Sequence, residues 1–153
     1  MRSYVSLDSY TDGLGQEVKV GDTVLYPRMR WSSPRVTVGK IVNIRQREGQ
    51  GWLAKPYTTV RVASVSECYF GANKDAYPDA SFIVTLAEST VRNNYKNLVK
   101  IDPNMVDGVL RSILFENKTL VVYSKLVDNK TRFIRRYFTK DDNGVELDYV
   151  SPL

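Results

Sequence analysis

A chain of 153 residues with 42% hydrophobic content is long enough to bury a core, as one domain or two very small ones, and is too apolar to be disordered. Its 22 basic residues against 17 acidic ones leave a net charge of +5, which modestly favours an anionic partner, either nucleic acid or an acidic protein surface. The chain has no histidine, which removes Ser-His-Asp and Cys-His catalysis and the common histidine zinc ligands, and its one cysteine, Cys68, allows no intramolecular disulfide.

In chain order, strand signals dominate the first two thirds. Val18 and Val20 alternate with polar neighbours, Gly21-Asp22 interrupts, and Thr23, Val24, Leu25 and Tyr26 resume until Pro27 removes a donor and is expected to end the pairing. The second strand is VTVGKIVNIR, with Val36, Val38, Val42 and Ile44 assigned to one face and Thr37, Asn43 and Arg45 to the other. The glycine-punctuated REGQGW leads to TTVRVASV, and a long loop from Glu67 to Ala80 precedes SFIVTL, where Phe82, Val84 and Leu86 align. The polar NNYKN suits a single tight helical turn before a fifth strand, LVKI.

Five short strands with a tight turn before the last is the order of an SH3-like five-stranded barrel, and residues 12–102 are assigned to it. One shared core is expected, made of Val20, Val24, Val38, Val42, Ile44, Val60, Val62, Val84 and Ile101. The segment GQEVKVGDTVLYP followed by VGKIVNI resembles a class of small uncharacterised tailed-bacteriophage proteins. They share a G-x-x-x-x-V-G-D-x-V-x-Y element, an arginine-rich loop and a G-K-V type second strand. The resemblance implies a phage-encoded barrel and carries no activity with it.

After Ile101 the periodicity changes. Asp102 or Asn104 caps a helix over MVDGVLRSILFEN, with Met105, Val109, Ile113 and Leu114 or Phe115 on one face; Gly108 weakens it by about 1 kcal/mol relative to alanine. TLVVYSKLV and TRFIRRYFTK are joined at Asp128-Asn129, types that tolerate a tight hairpin, and Asn143-Gly144 leads into VELDYV. Residues 103–153 therefore read as one α-helix and a three-stranded antiparallel meander packed on the barrel.

The charge is concentrated. From Arg28 to Arg61 eight basic residues meet one acid, Glu48. The candidate binding residues, for nucleic acid or a protein partner, are Arg28, Arg30, Trp31, Arg35, Lys40, Arg45, Arg47, Trp52, Lys55 and Tyr57: guanidinium groups for phosphates, interleaved with flat rings for stacking. The plainer alternative is a solvated strand face with both tryptophans closing the barrel ends. TRFIRRYFTK sets Arg132 and Arg136 beside Ile134 and Phe138, as a charged edge strand would.

No catalytic residue is expected. Cys68 follows Glu67 and reads as a buried small hydrophobe, and neither GxxxxGK[ST] nor GxGxxG occurs. No metal site or cofactor is expected; Asp141, Asp142, Glu146 and Asp148 crowd one turn but do not fit a calcium loop. No apolar run reaches about 18 residues and MRSYVSLDSYTDG lacks a secretory core, so a cytoplasmic protein without membrane contact is expected, in the host cytoplasm if phage-encoded. The expected function is a non-enzymatic module contacting nucleic acid or a nucleoprotein complex through a basic, aromatic barrel face. The alternative is a protein-interaction factor that modulates a host enzyme or defence protein.

Overall fold

The computed structural model describes residues 3–30, 33–49, 55–69, 80–138 and 146–152. It is mainly β, built from antiparallel ladders, and divides into two compact units, Met1–Ser64 with Ala87–Gly108 and Val65–Leu86 with Val109–Leu153. Among the described residues no helix is long and apolar enough to cross a membrane.

The first unit contains β1 (Tyr4–Leu7), a hairpin of β2 (Ser9–Thr11) and β3 (Glu17–Lys19), β4 (Thr23–Arg30) and β5 (Ser33–Arg47). It also takes the start of β6 (Tyr57–Tyr69), the end of β7 (Phe82–Val91) and β8 (Val99–Lys100). The hydrogen-bonded order is β8-β4-β5-β6-β7, with β1 on β5. A 3-10 turn, Tyr95–Asn97, stands before β8 where the polar NNYKN predicts one. The division differs from a single cut after Asp102, because β6 and β7 each run from one unit into the other.

β5 organises this unit. Its residues 33–40 pair with β4 and residues 44–47 with β1, while Gly39–Arg47 pair with β6. Where β5 changes partner it bulges: Ile41 lies opposite Val62 and Asn43 opposite Arg61, leaving Val42 as the extra residue. The free edge at Ile41 is satisfied by the Gly21-Asp22 turn. Gly21 donates to the Ile41 carbonyl at 2.8 Å and Ile41 donates to the Asp22 carbonyl at 3.0 Å, with Gly21 in the left-handed region at φ 92.

The bulge corrects the expected core. Ile41 and Ile44, three apart, both enter it, so Ile41 takes the place assigned to Val42, and Val36 is 65% exposed. Val24, Ile44, Val60 and Val62 are buried as expected, joined by Tyr10, Val18 and Leu98. Val20 is 49% exposed because β3 ends at Lys19 and Val20 lies in the turn that follows, whereas Val18, opposite Tyr10 in the β2–β3 hairpin, is buried. Val38 and Ile101 are half-buried, and Leu98 takes the place given to Ile101. Val84 belongs to the second unit's core.

Two further expectations are corrected. Pro27 does not end pairing: β4 continues to Arg30, opposite Ser33. β8 pairs with Val24 and Leu25, so at Pro27 no strand among the described residues takes up the second edge of β4, a position sheets tolerate. Among the described residues no ladder joins β7 back to β4 or β8, so the five-strand order is present without a closed barrel.

Asp12 ties the β2–β3 hairpin to β8. It is 4% exposed, and its carboxylate accepts the backbone N–H groups of Leu14 and Gln16 at 2.9 Å and Lys100 at 3.0 Å, plus the Gln16 side-chain amide at 3.1 Å. Burial pushes its pKa up, but those four donors outweigh burial and hold it below the usual carboxylate value.

The second unit contains the end of β6, the start of β7, α1 (Gly108–Glu116), β9 (Leu120–Val127), β10 (Lys130–Phe138) and β11 (Glu146–Pro152), in the order β11-β10-β9-β7. The predicted helix and meander are both present. Asp128 and Asn129 make the hairpin turn at φ 51 and 61, the paired positive angles of a type I′ turn. Ile113 of α1 packs with Val84, Leu120, Val122 and Phe138. Met105 is not on the helix: it ends a 3-10 turn capped by Asp102, and is 77% exposed. In β10 the register shifts between Phe133 and Arg135, so Arg132 lies opposite Lys125 and Arg136 opposite Val122. That shift separates Arg132 from the face shared by Arg136 and Phe138, contrary to the simple alternation.

Candidate functional site

Within the first unit the basic residues fall on two surfaces rather than one. The parity of β5 decides this. Opposite residues of neighbouring strands share a face, so Tyr26 with Thr37 and Arg28 with Arg35 lie on the face that carries Val24 and the core. Beyond the bulge, Asn43, Arg45 and Arg47 lie on the opposite face, since Ile44 between them is buried with its partners Leu7 and Val60.

The outer face is a set of rows across β1, β5 and β6. Arg47 is flanked by Tyr4 and Tyr57, Arg45 by Ser6 and Thr59, and Asn43 by Arg61. The Arg45 guanidinium lies 4.2 Å from the Tyr4 ring centroid and that of Arg47 lies 5.5 Å from it. Arg47 also donates to the Thr59 hydroxyl at 3.4 Å. Arg92, just past β7, stacks on Tyr57 at 3.9 Å. Such contacts are worth about 0.5 to 1 kcal/mol each at exposed sites, enough to hold flexible side chains flat against the sheet. Their charge stays unneutralised, because Arg61 alone of this set has a carboxylate partner among the described residues, Glu88 at 2.7 Å. Lys40 is half-buried, opposite Thr23 and Ala63, and Lys55 is exposed just before β6.

The second surface is a groove of about 540 Å³ beside the Tyr95–Asn97 turn. It is lined by Arg28 and Arg35 of the β4–β5 ladder, by Asn93, Asn94 and Asn97 around the turn, and by the apolar Val91 and Leu98. Arg28 lies 5.3 Å from the Tyr26 ring, whose hydroxyl is 3.0 Å from that of Ser89. The turn is anchored from below: the Tyr10 hydroxyl donates to the Leu98 carbonyl at 2.7 Å, and the Tyr10 and Tyr95 rings meet edge to face at 5.5 Å. Burial, with Asp12 and Asp22 nearby, pushes the Tyr10 phenol well above its usual pKa, so it stays a donor.

Of the residues expected from sequence, the structure thus brings together Arg45, Arg47 and Tyr57 on one face and Arg28 and Arg35 in the groove. Tyr4 and Arg92 were not anticipated; only the register of β1 on β5 brings Tyr4 to the arginines. Trp31 and Trp52 lie outside the described residues, as do the side chains of Arg30, Cys68, Glu146 and Asp148 and all of Asp141 and Asp142. Among the described residues no three His, Cys, Asp or Glu side chains gather. No protein-family model matches this chain, and neither the curated proteins nor the solved structures give a match.

Proposed function

We propose that the protein is a binding module without catalytic turnover that contacts the phosphate backbone of nucleic acid through the outer face of β1, β5 and β6. The observation that carries this reading is the row Tyr4, Arg45, Arg47, Tyr57 and Arg92, guanidinium groups laid on rings with no carboxylate paired to them among the described residues. Unpaired guanidinium groups held flat are suited to phosphate oxygens, and exposed rings to bases. The five-strand order with a 3-10 turn before the last strand supports an SH3-like architecture for this unit, open rather than closed. A phage origin rests on the V-G-D-x-V-x-Y resemblance alone.

Fluorescence anisotropy with a labelled oligonucleotide tests the reading. Binding is expected at about 50 mM salt and to weaken as salt rises, the log-log slope falling by about 1 to 2 units in Arg45→Gln/Arg47→Gln. No binding at that salt concentration contradicts it. A protein captured at moderate salt with fixed stoichiometry then points to the interaction-factor alternative.

A further inference from the structure

Arg28 and Arg35 are directly opposite each other across β4 and β5, an arrangement in which like charges repel. Neither has a carboxylate partner among the described residues, and both are exposed. The outer face offsets its charge density by stacking, whereas here, among the described residues, Tyr26 stacks with Arg28 and no ring stacks with Arg35. An anion between the two guanidinium groups would relieve the repulsion, and a phosphate has the geometry to accept from both.

What lies next to that position narrows the ligand. Val91 and Leu98 give the groove apolar surface, and Asn93, Asn94 and Asn97, whose side-chain amides are each both donor and acceptor, line it too. Asn94 is held in the left-handed region at φ 61 and Asn97 donates its backbone N–H to the Asn94 carbonyl at 2.9 Å, so the amides are carried on a fixed turn. Cationic, apolar and amide surfaces in sequence match the phosphate, the ring face and the edge of one nucleotide. A base paired within a duplex has its Watson–Crick edge occupied and its faces stacked, so a nucleotide that lays its ring face on the apolar surface and turns that edge to the amides is an unpaired one.

We propose that this groove seats one unpaired nucleotide of a single strand, phosphate between Arg28 and Arg35 and base edge toward Asn93, Asn94 and Asn97. The proposal rests on the nucleic-acid reading above and adds a preference for single strands that the outer face alone does not supply.

The test compares a labelled single strand of about twelve nucleotides with a duplex of the same sequence. For Arg28→Gln/Arg35→Gln, single-strand affinity is expected to drop about tenfold or more while duplex affinity changes much less. Asn97→Ala, which removes no charge, is expected to lower single-strand affinity with the salt slope unchanged. Both substitutions are at exposed positions, and thermal melting checks that each variant folds. Equal losses for strand and duplex, or no loss in either variant, overturn the groove assignment while leaving the outer-face reading standing. Failure of the wild type to bind either probe overturns both, and Arg45→Gln/Arg47→Gln weakening both probes together identifies the outer face as the shared surface.

Discussion

Asp12→Ala is expected to destabilise the protein by about 2 to 5 kcal/mol, because it leaves three backbone donors and one amide without their acceptor in a site that is 4% exposed. Asp12→Asn offers little relief, since its amide nitrogen would face N–H groups instead of accepting from them. Each kcal/mol corresponds to about 2 to 4 °C in melting temperature for a chain of this size, so the loss is readily measured. Acid gives a second readout. The carboxyl is held below its usual value, so its stabilisation is complete above the unfolded pKa of about 3.9 and is lost as pH falls through the lower folded one. The wild type therefore weakens in that window, and Asp12→Ala shows a flatter dependence there. A variant as stable as the wild type at neutral pH would mean that the tie between the hairpin and β8 contributes little.

Gly39→Ala is expected to cost about 1 to 3 kcal/mol. A methyl group at this position would meet Val62 Cγ2 at 2.7 Å, the Ala63 carbonyl at 3.0 Å and Ser64 Cβ at 3.4 Å. Val62 and Ser64 are fully buried and Val62 is stiff at its branched Cβ, so the strands themselves must part. In an open strand the same change would instead gain about 0.5 to 1 kcal/mol from reduced backbone entropy, which makes the sign diagnostic. Urea unfolding measures it. A lower midpoint with unchanged slope fits the close approach of β5 and β6, whereas an unchanged or higher midpoint does not.

The legible parts of this fold were those set by neighbours in sequence. Alternation identified β4, β5, β6 and the β9–β10 pair, and the left-handed preference of Asp128-Asn129 located their hairpin. The Gly21-Asp22 pair was visible as punctuation, though not as the turn that satisfies Ile41, and Gly39 was read as part of a continuous strand, not as the contact that excludes a Cβ. What sequence could not show was set by distant partners. Tyr10 is buried because its hydroxyl reaches a carbonyl 88 positions away, and Asp12 because its carboxylate reaches Lys100. The bulge at Val42 was hidden because the adjacent pair Ile41-Val42 offers two apolar residues for one inward position and counting by twos from Val38 selects Val42, yet the extra residue reverses the parity of everything after it.

That reversal also governs the candidate site. Counting by twos along VTVGKIVNIR leads to one continuous basic face, whereas the extra residue and the partner change at β1 separate Arg28 and Arg35 from Arg45 and Arg47. The clustering of charge was readable from composition; its division into a face and a groove was not. Arg92 carried no signal at all, because its role depends on where β7 ends beside Tyr57.

Backbone amide NMR during titration with a short single strand at about 50 mM salt reads out whether nucleic acid meets the outer face of the first unit. Progressive shifts are expected at Tyr4, Ser6, Arg45, Arg47, Tyr57, Thr59 and Arg92, reversed by added salt. Shifts confined to α1, β9 and β10, or an unperturbed spectrum at that salt concentration, would contradict it.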